Sequence, residues 1–105
     1  ATNAVATAQM LRAGANRGAT GENPVARAMT LVDAVLGPVA ITWPHAMMGE
    51  VTPRMAEAIN LSRAPKILIP LHQESVVLVG SSMEPLPHLI DIMLNKNLKE
   101  VLGNV

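Results

Sequence analysis

Apolar residues recur along this chain with two periods, and the changes between them mark out its elements. Residues 3–13 read as a helix with Thr2 or Asn3 as cap and Gly14 just past its end. Its apolar side chains run most of the way round, with Gln9 and Arg12 as the main polar stripe, which predicts a largely buried helix. Residues 24–31 predict a short second helix with Asn23 as cap, Pro24 in the first position and Arg27 as its polar point. A strand follows over 34–36, stops at Gly37-Pro38 and resumes through 39–42. The pattern breaks over 43–52, a loop, before Thr52 and Pro53 open a helix as cap and first residue. On that helix Met55, Ala58, Ile59 and Ser62 share the inner face, with Arg54 and Glu57 on the outer one. The continuous apolar run at 66–71, ended by Pro70, suits a strand covered on both faces. A β-branched run at 76–79, closed by Gly80, predicts a third strand. The clearest helix spans 85–102: Leu86, Leu89, Ile90, Met93, Leu94, Leu98 and Val101 face inward, His88, Asp91, Asn95 and Lys99 outward, and Gly103 ends it.

Strands alternating with helices argue for an α/β layer structure with a small, mainly parallel sheet flanked by helices. Three strands are few for such a sheet. The chain starts at Ala1 and enters a helix at once. The expectation is a single domain over 1–105 that lacks an N-terminal strand-helix-strand unit.

Composition narrows the picture. A chain of 105 residues makes one domain and buries roughly 65% of its unfolded surface. Half of the residues are apolar and 15% charged, which argues for a packed core and against disorder. With one Trp, no Phe, no Tyr and seven Met, small and unbranched side chains must fill that core. Eight basic residues balance eight acidic ones, so neither a positive field nor an aromatic platform is present for nucleic acid. Zero cysteines exclude disulfides and thiolate metal sites and accord with a cytoplasmic protein. No apolar run approaches the ~20 residues that span a bilayer, so no membrane partner is expected.

The stretch at 18–24, GATGENP, carries the main candidate chemistry. Glycine turns the backbone where a side chain would clash, and a loop leading to a helix start aims N–H groups at one point, as phosphate sites do. The expected roles are donors from Gly21 and the Asn23-capped helix and a hydroxyl from Thr20, beside Gly18. Glu22 would repel a bare anion and suits a ribose hydroxyl instead. The plainer reading is a tight turn with a capped helix. Gly37 and Pro38 sit at the carboxyl end of a strand, where open parallel sheets bind ligands; the plainer reading is a strand terminator. Gly49, Glu50 and Thr52 lead to a second helix start, so two starts converge on one crevice; simple capping is the plainer role of Thr52. His45 has neither a dyad partner beside it nor metal-ligand spacing to His72 or His88, and no metal site is expected. Met47, Met48 and Met55 read as a soft core or dimer patch, and an exposed Trp43 would mark a partner surface.

Four segments then resemble a known family: GATGENP at 18–24, VLGPVAI at 35–41, MMGEVTPRMAEAI at 47–59 and KILIPL at 66–71, with the opening TNAVATAQMLRAGA. In order and spacing they look like a small bacterial family catalogued as domain of unknown function 3842. The resemblance covers nearly the whole chain and implies a Rossmann-like fold whose members carry, further upstream, a strand and a glycine-rich turn reminiscent of dinucleotide-binding proteins. This chain departs from the family at Trp43, Pro44 and His45, where small and aliphatic residues are expected. The family supplies no reaction. The leading expectation is a protein that binds a nucleotide or other phosphate-bearing small molecule, an anionic ligand, at loops 18–23, 37–38 and 49–52. The alternative is an oligomeric structural or interaction protein, a homo-oligomer without a small-molecule ligand. A third reading is an enzyme with Glu22 or Glu50 as general base.

Overall fold

The computed structural model describes residues 1–71, 75–81 and 84–103. Asn3 opens helix α1 (Ala4–Arg12): its side-chain oxygen accepts from the Ala6 N–H at 2.8 Å, and Gly14 takes φ 113° beyond the last turn. Helix α2 (Glu22–Ala28) starts two residues earlier than Pro24, with Gly21 in the cap position at φ 106°. Asn23 is therefore inside the first turn, because glycine reaches a backbone geometry that frees Glu22 to begin the helix. Strand β1 (Val35–Pro38) then meets a 3-10 turn (Val39–Thr42) in place of a resumed strand. Pro38 has no N–H to donate and ends the ladder.

Thr52 caps helix α3 (Pro53–Leu61), its hydroxyl accepting from Met55 N at 3.2 Å. Strand β2 (Lys66–Ile69) pairs with β1 in parallel, Val35 opposite Lys66 and Pro38 opposite Ile69. These two strands form the sheet among the described residues. The run at 76–79 contributes only a bridge residue at Val76, and Val77 and Val79 are 79% and 98% exposed. β-propensity reflects packing against neighbouring strands and burial, and so exposed a run gains little from strand geometry. The C-terminal helix is α4 (Leu86–Ile92), a wider π turn (Met93–Asn97) and α5 (Leu98–Leu102). None of its expected inward residues is buried: Leu86, Ile90, Leu94 and Val101 are exposed, and Leu89, Met93 and Leu98 half-buried. The π turn inserts a residue into the 3.6 period, so one stripe cannot stay on one line along the helix.

The core is compact and lies on α3. Val51, Met55 and Ala56 are fully covered, with Val25, Ala46 and Met47 packed against them. α3 bears on α2 and on the 3-10 turn, whereas α1 makes only marginal contact with other elements. The expectation of a buried α1 is thus corrected: Thr7 is its one buried residue, and Val5, Met10 and Leu11 are exposed. Strand β2 is likewise covered less than its apolar run predicts, with Ile69 buried and Ile67 and Leu68 half-buried. The architecture is α/β with a small parallel sheet and helices. No helix of the described residues is long and apolar enough to cross a membrane.

Candidate functional site

Loop 18–23 is held mainly by its own side of the molecule. Gly18 lies so close to α1 that a Cβ there would stand 2.9 Å from Leu11 Cδ1 and Thr7 Cγ2, which gives this glycine a packing reason. The Thr20 hydroxyl pairs with the Thr7 hydroxyl at 2.7 Å. Thr7 also donates within reach of Asn3 O and Ala19 O, so this polar residue of an apolar helix anchors α1 to the loop. The Gly21 N–H donates to Ala1 O at 3.0 Å, and the Ala1 amino group donates to Ala19 O at 2.8 Å.

Glu22 and Asn23 point the other way, toward α3. The Thr52 hydroxyl donates to Glu22 Oε1 at 3.0 Å, across 30 positions of sequence. Arg54, in the first turn of α3, approaches Asn23 Oδ1 with its guanidinium at 3.4 Å, a long contact. The starts of α2 and α3 are therefore side by side, with two oxygens, an amide and a guanidinium between them. Thr52 both caps its helix and holds Glu22, so capping and contact between the loops coexist in one hydroxyl.

Gly37 and Pro38 stand elsewhere, on the wall of an apolar trough of about 390 Å³. The trough runs along all four residues of β1, is floored by Val51, Met55 and Ile59, and has Thr2 and Asn3 at its rim. A Cβ on Gly37 would come within 3.1 Å of Ile41 Cδ1, so the strand and the 3-10 turn approach closely there. Gly49 and Glu50 belong to the outer turn over 43–50. In that turn His45, Met47 and Met48 take φ of 69°, 57° and 58°, and Gly49 takes 88°. The turn is closed by His45 N donating to Val51 O at 2.7 Å and Glu50 N to Met47 O at 3.1 Å. Among the described residues no hydrogen bond joins Gly49 or Glu50 to loop 18–23.

The remaining candidates separate. Trp43 is half-buried and His45 exposed, and both border an open basin of about 570 Å³ with Met47 and Met48. Met55 is core, Met47 leans on that core, and Met48 is fully exposed. His88 pairs with Glu84 at 2.7 Å on the first turn of α4, and His72 lies outside the described residues. No group of three metal-ligating side chains occurs among the described residues. Two participants were missed in the sequence. Arg54 reads as an outward residue from its helical phase, and Thr7 as a minor position on an apolar helix. The signal for Arg54 is electrostatic: a cation in the first turn faces the positive end of its own helix.

The sequence model of the family described as Domain of unknown function (DUF3842) matches residues 1–102. No curated protein and no solved structure matches the chain.

Proposed function

The chain belongs to the DUF3842 family, and from that premise we propose that it binds a nucleotide or another phosphate-bearing small molecule where the starts of α2 and α3 meet. The observation that supports the reading is the 3.0 Å hydrogen bond from the Thr52 hydroxyl to Glu22 Oε1, which joins the first residue of α2 to the cap of α3. Arg54 adds a cation beside Asn23 at a helix position where its charge costs stability, and local rules are broken most often where function requires it. Glu22 is an acceptor suited to a sugar hydroxyl. The Thr20 hydroxyl and the Gly21 N–H are already engaged within the protein, so the charge of the ligand falls to Arg54. Glu22 and Glu50 are both half-buried.

Calorimetric titration with nucleoside mono-, di- and triphosphates, a dinucleotide and a sugar phosphate tests the proposal. Saturable heat is expected for at least one of them, weakened roughly tenfold by Arg54→Ala, in line with loss of a charged hydrogen bond. Glu22→Gln is expected to reduce the preference for ribo- over deoxyribonucleotides. Absence of heat and of any thermal shift with the whole set rejects the reading.

A further inference from the structure

The turn over 43–50 holds side chains in a backbone conformation they rarely adopt. Among the described residues, the non-glycine positions with positive φ are His45, Met47 and Met48, at 69°, 57° and 58°. In that left-handed region a Cβ crowds the backbone, and glycine or asparagine is the ordinary occupant. Backbone hydrogen bonds keep them there: Ala46 N donates to Trp43 O, Gly49 N to His45 O and Val51 N to Ala46 O, each at 3.1 Å. Residues kept in such conformations cluster at ligand clamps and switch regions. A turn that only reverses the chain is served by glycine and short polar residues. Here each strained non-glycine position bears a nitrogen or sulfur donor instead.

All three donors line one basin of about 570 Å³, and the chain's single Trp, Trp43, forms part of its wall. Met48 is fully exposed and takes no part in the core, while Met47 rests on the core and still reaches the basin. The methionine side chain turns about three bonds, which lets both sulfurs close on an ion beside the imidazole. Thioether sulfur is a soft ligand that selects Cu(I), and imidazole also suits copper. The groups of three that are absent among the described residues are those of His, Cys, Asp and Glu; one imidazole with two thioethers lies outside that set. Such a trio is poor for zinc, which takes thiolate, imidazole or carboxylate. Thioethers and a ligating imidazole are neutral, so the bound ion keeps its positive charge, which the face of an indole attracts.

We propose that His45, Met47 and Met48 form a binding site for Cu(I), with Trp43 as its aromatic wall. Binding changes no oxidation state and needs no further reactant. The reading is independent of the anionic ligand, since Glu22, Thr52 and Arg54 do not line the basin.

Titration of the chain with Ag(I), a redox-inert stand-in, and with Cu(I) under anaerobic conditions tests the proposal. One ion per chain is expected to quench the emission of Trp43 and to shift the methyl resonances of Met47 and Met48, leaving that of Met10 in place. Zn(II) under the same conditions is expected to move none of them. Met48→Leu changes a fully exposed side chain, and His45→Asn keeps a residue suited to positive φ. Each should raise the dissociation constant for Ag(I) at least about tenfold, since loss even of the groups that orient a metal's ligands costs that much. Met10→Leu, at an exposed methionine on α1, should leave it unchanged. The proposal is overturned by Trp43 emission and Met47 and Met48 resonances that ignore a several-fold excess of Ag(I), by an affinity that neither Met48→Leu nor His45→Asn alters, or by tighter binding of Zn(II) than of Ag(I).

Discussion

Thr52 shows how much one side chain joins. Its hydroxyl accepts from Met55 N and donates to Glu22 Oε1, so it starts one helix and ties it to another. Thr52→Ala is expected to lower the unfolding free energy by about 1 kcal/mol, the ordinary worth of a cap, with Thr52→Ser close to the parent in urea titrations. Thr7 holds a comparable position on α1. Thr7→Val keeps the shape and removes the partner of the Thr20 hydroxyl, an expected loss of about 1 to 3 kcal/mol depending on how far water reaches Thr20. Met55 is 3% exposed at the centre of the core. Met55→Ala should cost about 2 to 5 kcal/mol by leaving a cavity, measured in the same titrations.

At the scale of elements, the helices divide into one that is packed and one that is tethered. α3 buries Met55, Ala56 and Ile59 and bears on both α2 and the 3-10 turn. α1 buries only Thr7 and is fastened by hydrogen bonds through Thr7 and Ala1. Local opening follows buried contact, so amides of α1 should exchange roughly tenfold or more faster than those of α3 under native conditions. Equal protection of the two would show that α1 is covered in solution by something other than its own chain. The same division explains where the sequence reading succeeded. Caps such as Asn3 and Thr52 are local chemistry and are legible three residues at a time. The direction in which α1 or α4 buries its apolar residues depends on what lies opposite, and periodicity alone does not say.

For the whole molecule, the exposed area means that folding of a single copy removes about 55% of the unfolded surface, against about 65% for its mass. The urea dependence of unfolding scales with the surface released. Under conditions where the chain is monomeric, its m-value should be about 15% below that of proteins of the same length. The sheet has two described strands, and the best-packed region is the α2–α3 corner.

What the sequence determined by itself is the succession α1, α2, β1, α3 and β2, the caps of α1 and α3, the parallel character of the sheet and the family, because each rests on short-range chemistry or on motifs in a row. The glycines at 21 and 49 were legible as turn positions for the same reason, and both take positive φ. Only the tertiary structure decided that α2 starts at Glu22, that the run at 39–42 coils, and that Glu22 meets Thr52 while Gly37 and Pro38 face a separate trough. Those outcomes depend on which surfaces approach across 30 positions of chain. The balance of burial and hydrogen bonding that settles such an approach is a property of the assembled layers.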